Sequence, residues 1–165
     1  MSFINYNSIW KIQHIRDSKV IWEDEKKNSL TQEGAEALLE TFFRNNTSYA
    51  PTQFYVRLCN YTPSILSTLN SILNEPTTGG YTAQLLERST TGFPTKDITS
   101  GGNYRLTSKV ISFTASGADI GTVTNAYMAT TSGNLGKLIA FRALSMPRTI
   151  KSGDTMTIQI KIDLG

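Results

Sequence analysis

The last ten residues before the terminal glycine, Thr155 to Leu164, read T-M-T-I-Q-I-K-I-D-L. Met156, Ile158, Ile160, Ile162 and Leu164 share one side, and polar residues fill the other. Successive side chains leave opposite faces of a pleated strand, so this period of two predicts a half-buried β-strand. The turn-forming cluster Lys151-Ser152-Gly153-Asp154 introduces it. A strand with one wet and one dry face belongs to an antiparallel sheet packed on one side only.

The remainder of the chain repeats this grammar. Ile9 to Glu23 reads as a hairpin, with Trp10 and Ile12 alternating before Arg16-Asp17-Ser18-Lys19. Glu23 to Asn28 reads as a solvated bend. Further strands are predicted at 53–60, 81–87, 104–115, 121–131 and 137–144, with Met146-Pro147-Arg148 interrupting before the final strand. About eight short strands joined by turn-rich connections predict an antiparallel β-sandwich of jelly-roll-like type.

One helix is expected, over about residues 30–44. Ala35, Leu38, Leu39, Phe42 and Phe43 follow the i, i+3, i+4, i+7, i+8 rule and form an apolar stripe. Ser29 and Gln32 have capping-box spacing, with Thr31 as a competing N-cap. Gly34 weakens the first turn by roughly 1 kcal/mol relative to Ala, a weakness explained by close approach to a sheet. The helix is expected to cover one end or edge of the sandwich.

At 165 residues the chain is expected to form one domain over residues 9–165, preceded by an arm at 1–8. The arm and the start of the hairpin carry Phe3, Ile4, Tyr6, Ile9 and Trp10, which are the candidate partner contacts. A neighbouring subunit or the chain's own sheet would bury them equally well. If they attach to a partner, trimming residues 1–10 weakens attachment without unfolding the body.

The residues offer little to chemistry. There is one histidine, His14, and one cysteine, Cys59, so a disulfide within the chain and a standard structural zinc site are both excluded. His14 has no nucleophile or acid nearby in sequence and reads as structural. Cys59 lies in an apolar run and reads as a buried small hydrophobe. The mixed cluster Glu23-Asp24-Glu25-Lys26-Lys27 reads as solvated surface. Gly79-Gly80 and Gly101-Gly102 lack phosphate-loop spacing and read as turns. The net charge of +3 is spread along the chain, unlike the basic stripe of a nucleic-acid binder. No membrane span and no secretory signal is apparent, and the Asn45, Asn46 and Asn60 glycosylation triplets read as chance matches. The expectation is a protein that is not an enzyme and uses no cofactor or metal. Its functional loops would be 61–80 and 89–103.

A longer pattern adds to this. Trp22 to Thr31 runs into Gly34-Ala35-Glu36-Ala37-Leu38-Leu39-Glu40-Thr41-Phe42-Phe43-Arg44, followed by Phe54-Tyr55-Val56-Arg57-Leu58. Gly80-Tyr81, Leu85-Leu86-Glu87-Arg88, Phe113-Thr114-Ala115, Ala129-Thr130-Thr131, Gly136 to Leu144 and Ser152-Gly153-Asp154-Thr155 complete it. This order, over about residues 22–164, resembles small virion structural proteins of tailed bacteriophages, of the capsid decoration or cement type. The resemblance implies a trimer made in the host cytoplasm. It would bind the major capsid protein or other virion proteins on the capsid surface, with neither nucleic acid nor membrane as partner. A neck, tail or fibre adaptor is the alternative, and a receptor- or carbohydrate-binding module is the other.

Overall fold

The chain folds into two antiparallel sheets facing one another, and the computed structural model describes residues 6–164. The strands are β1 (Tyr6–Arg16), β2 (Lys19–Lys27), β3 (Ser29–Leu30), β4 (Gln53–Cys59), β5 (Gln84–Glu87), β6 (Thr95–Ile98), β7 (Tyr104–Thr107), β8 (Ile111–Thr114), β9 (Gly121–Ala129), β10 (Leu138–Ile150) and β11 (Thr155–Leu164). The helix α1 spans Gln32–Phe43. One sheet has the order β2-β1-β11-β7-β6, with β8 also on β11, and the other has the order β3-β10-β9-β4-β5. The mainly-β sandwich with one helix is thus as expected.

The period of two sets the inner faces. Trp10 and Ile12 of β1 pair with Ile160 and Ile158 of β11, and all four are fully buried. Val56, Leu58, Val123 and Ala126 answer them from the second sheet. Each buried Ile or Leu contributes roughly 1.5–3 kcal/mol by leaving water. A second small core of Cys59, Leu69, Ile72, Tyr127 and Leu138 lies on the other face of that second sheet, under the 61–80 segment. That segment is therefore largely a packed cover, with one short 3-10 turn at Leu69–Ser71.

Several boundaries differ from expectation, each for a local reason. Tyr6, Asn7 and Ser8 are not an arm: they pair with Leu164, Asp163 and Ile162 as the first residues of β1. Glu23 to Lys27 is not a bend but the paired second half of β2. Its Asp24 is buried beside Arg142 at 2.6 Å and accepts from the Ser145 backbone N–H at 3.0 Å. Burial raises the Asp24 pKa, but the Arg142 guanidinium and the Ser145 amide outweigh it and leave a net lowering. The predicted strand 104–115 is split into β7 and β8 at Ser108, whose hydroxyl replaces a ladder partner by accepting from Ile160 N–H at 2.9 Å. The 89–103 connection contains β6, an exposed edge strand. Conversely, the Met146-Pro147 interruption does not end β10. It appears as a register shift between Ala143 and Arg148, where proline's missing N–H is tolerated.

The β1–β2 turn yields a first prediction. Asp17 and Ser18 both have positive φ, at 48° and 61°, as a two-residue type I′ turn demands. A side chain there costs about 1–2 kcal/mol, and glycine escapes it at some entropic cost. Ser18→Gly should therefore raise stability by about 0.5–1 kcal/mol, as read from the midpoint of urea unfolding.

Candidate interaction surface

Helix α1 is positioned by small and polar groups. Thr31 is the N-cap, accepting from the Gly34 N–H at 3.0 Å, while its own hydroxyl donates to Leu138 O and, at 3.1 Å, to Ile139 O. The Ser29–Gln32 capping box does not form, because Ser29 is taken up in β3 opposite Phe141. Glu33 Oε2 accepts from the backbone N–H of Leu138 at 2.7 Å and of Leu69 at 3.0 Å. The helix residues that become buried are Gly34 and Ala37. Gly34 lies flat on the Ile139 backbone, where an added Cβ would stand 2.1 Å from the carbonyl oxygen. The close approach inferred from Gly34 is therefore real.

The consequence reverses the usual use of an amphipathic helix. Its apolar stripe does not cover the sandwich but faces outward. Phe42 is 81% exposed, Phe43 64%, Leu39 57% and Leu38 47%. Phe42 and Phe43 meet edge to face, with centroids 5.0 Å apart. Monomeric proteins seldom leave such a contiguous apolar patch in water unless it binds something.

The opposing wall comes from the first sheet. Tyr6, Leu164, Tyr104 and Ile98 are direct register partners across β1, β11, β7 and β6. Residues directly opposite one another project from the same face. That face is the inner one, continuing the Trp10 and Ile160 rows past the point where the second sheet covers them. Leu164, Tyr104 and Ile98 are 49%, 61% and 61% exposed. Between α1 and the first two residues of this row, Tyr6 and Leu164, runs an apolar cleft. One hollow of about 370 Å³ is lined by Tyr6, Leu38, Leu39, Phe42, Phe43 and Leu164 among others. A second, of about 180 Å³, adjoins it at Tyr6, Leu38 and Leu164 and reaches Phe54 and Ile139. Thr41 Oγ1 lines it without a hydrogen-bond partner.

The sequence-predicted contact residues divide. Phe3 and Ile4 lie outside the described residues. Tyr6 stands in the cleft wall. Ile9 is half-buried on the outer face of β1, while Trp10 is a fully buried core residue whose Nε1–H donates to Ser8 Oγ at 3.2 Å. Trp10 is thus not free for a partner, and trimming residues 1–10 would remove part of the core together with half of β1. The α1 stripe was visible in the sequence, but its outward orientation was not.

The buried ionisable groups His14, Asp154 and Arg57 are held in clusters with other polar side chains. His14 is buried, with Nε2 2.8 Å from Asp154 Oδ2 and Nδ1 3.2 Å from both Nε and Nη2 of Arg148. Arginine only donates, so Nδ1 accepts and Nε2–H donates to Asp154. Arg16 also donates twice to Asp154, at 2.7 Å each. Elsewhere Arg57 is buried, donating to both carboxylate oxygens of Glu75 and to Gly133 O, with its guanidinium 5.2 Å from the Tyr127 ring centroid. Tyr81 donates to the same Glu75 at 2.7 Å. Desolvation pushes the Tyr81 and Tyr127 hydroxyls up and the Cys59 thiol to about 12, so none of the three is a poised nucleophile. These clusters tie loops to sheets. Among the described residues, no group of three or more His, Cys, Asp or Glu side chains is placed to hold a metal ion. Nor, among the described residues, is any helix long and apolar enough to cross a membrane.

Among the described residues, the chain is thus a two-sheet β-sandwich with an apolar cleft beside its one α-helix. Residues 29–162 match the family model described as Podophage GP4 fiber I protein gp80, and the chain belongs to that family. It is accordingly a bacteriophage virion structural protein. The matched region runs from β3 into β11 and includes α1, leaving the β1–β2 hairpin outside it. No curated protein matches the chain.

Proposed function

We propose that this chain is a fibre-type component of a phage virion, acting by attachment to other virion subunits rather than by catalysis. The observation that carries this reading is the uncovered cleft between α1 and the end row of the first sheet, four of whose exposed side chains sit on a helix firmly tethered to β10. Rigid tethering keeps the apolar groups from folding back, so little ordering entropy is lost when a partner covers them. Membership of a fiber-protein family supports the fibre position over the capsid-decoration position. A particle component bound only in the assembled state stabilises that state by its binding free energy.

The test is localisation in the purified particle, by a density map together with the copy number from quantitative mass spectrometry. Density along a fibre, with a copy number set by the fibre positions, is the expected outcome. Density over the capsomers, with a copy number following the major capsid protein, would instead mark a decoration protein and overturn the fibre assignment.

A further inference from the structure

We propose that the two adjoining hollows beside α1 form one binding slot for a long-chain carboxylate, an amphiphile of the fatty-acid class. Its head lies at Arg88 and its hydrocarbon chain runs towards Phe42. This goes beyond the fibre reading and does not rest on it. A chain lying in the hollows leaves the outward sides of Phe42 and Phe43 to a neighbouring subunit.

Three observations favour such a ligand. The first is continuity and size. Tyr6, Leu38 and Leu164 line both hollows, so the two spaces share a wall. Apolar cavities of roughly 150 Å³ stay dry and accept a benzene-sized guest. The smaller hollow, of about 180 Å³, therefore suits a hydrocarbon segment better than water. The larger, of about 370 Å³, falls in the roughly 300–1,000 Å³ range of small-molecule sites. The second observation is charge. Arg88 is the one charged side chain among the lining residues, and it borders the smaller hollow alone. Its Nη1–H donates to Pro51 O at 3.1 Å, which holds the guanidinium in place. Its Nε and Nη2 donors have no partner, and no carboxylate pairs with it, among the described residues. The third is Thr41, which lines the same hollow. A helical threonine can return its hydroxyl to the carbonyl one turn back. The Thr41 hydroxyl is buried and makes no such bond.

The slot is thus polar at one end only. Arg88 and Thr41 stand at the smaller hollow, and Leu30, Phe42 and Phe43 line only the larger. A linear molecule with one anionic head matches that asymmetry. The arginine fork donates to the carboxylate, and charge-assisted bonds of this kind are the strong ones. Thr41 supplies a further donor at that end. The chain then passes between Leu38 and Leu164 and leaves water along its length. A neutral apolar guest would leave the Arg88 donors without an acceptor.

The experiment is isothermal titration of the full chain with octanoate, decanoate and dodecanoate, each below its micelle concentration, and with 1-dodecanol as the uncharged control. Saturable binding of one ligand per chain is expected, tightening about fourfold for each added methylene. Arg88→Gln changes an exposed residue, so the fold should persist. It should weaken dodecanoate at least about 10-fold and leave 1-dodecanol unchanged. Leu38→Glu puts a charge on the wall shared by both hollows and should abolish binding of either ligand. No saturable binding to the wild type overturns the proposal and leaves the cleft to a protein surface. A folded Leu38→Glu variant with wild-type affinity overturns it too, because the ligand then sits elsewhere. So does an Arg88→Gln variant that binds dodecanoate as the wild type does, or that loses both ligands equally. A misfolded Leu38→Glu variant is recognised by its far-UV circular dichroism spectrum, and the Arg88→Gln comparison then decides alone. Localisation of the chain away from the fibre would overturn the fibre reading without touching any of these outcomes.

Discussion

Gly34→Ala is expected to lower the melting temperature by on the order of 10 °C, although alanine is the better helix former by about 1 kcal/mol. The new methyl group would stand 2.1 Å from Ile139 O, 2.9 Å from its carbonyl carbon and 3.0 Å from its Cα. All three are backbone atoms of β10, which is hydrogen-bonded to β9 on one side and flanked by β3 on the other. They have no rotamer to change. The helix must lift, which stretches the Thr31 bonds to Leu138 and Ile139 and the Glu33 bond to Leu138. Overpacking of this kind costs about 3 kcal/mol net of the propensity gain, and each kcal/mol moves the midpoint of a chain this size by about 2–4 °C. Thermal melts followed by circular dichroism decide the sign. A raised midpoint would mean that propensity wins and that α1 is not held against β10 as described.

Asp154→Ala is expected to cost about 3–5 kcal/mol, the usual penalty for removing one partner of a buried charged pair. The carboxylate receives both Arg16 donors, His14 Nε2–H and the Lys151 backbone N–H at 3.0 Å, so one side chain closes the β10–β11 turn and anchors the end of β1. Its removal leaves His14 buried with an unpaired donor. The Arg16 hydrogen bonds hold the Asp154 carboxyl well below the usual carboxylate range, burial opposes this, and the Lys151 amide and His14 add to the lowering. A carboxyl depressed in the folded state contributes its full stability above its unfolded pKa of about 4 and loses it as the pH falls from there through the folded value. Unfolding midpoints measured from pH 7 down to about pH 2 should therefore fall steeply below pH 4 in the wild type, and less steeply in Asp154→Asn. Equal slopes would show that the carboxylate carries no such linkage.

Both predictions concern residues whose types the sequence displayed but whose partners it concealed. Gly34 announced a close approach by its position in the first helical turn. Nothing in the chain named Ile139 as the surface approached. His14 was legible as structural only because no partner lay near it, and its partner is Asp154, 140 positions away. Asp24 was misread for the opposite reason. Its charged neighbours in sequence suggested solvent, whereas β-pairing sends alternate residues of β2 to opposite faces and brings Asp24 alone to Arg142. The candidate site was half legible. The α1 stripe stood out by its period, but the wall facing it pairs Tyr6 of β1 with Leu164 of β11, at a sequence separation that no local pattern connects.

Local chemistry determined the long half-buried strands such as β11 and the inner face of β1, because the pleat repeats every two residues and needs no knowledge of the partner. It also determined the one α-helix among the described residues and, with a single cysteine, the absence of any disulfide within the chain. Only the tertiary structure decided which side of that helix faces the sheet. The choice went to the side that can come closest, glycine and alanine with Glu33 and Thr31 bonded to β10, because backbone hydrogen bonds require short distances that bulky side chains prevent. The large apolar groups, Leu38, Leu39, Phe42 and Phe43, were left on the outside.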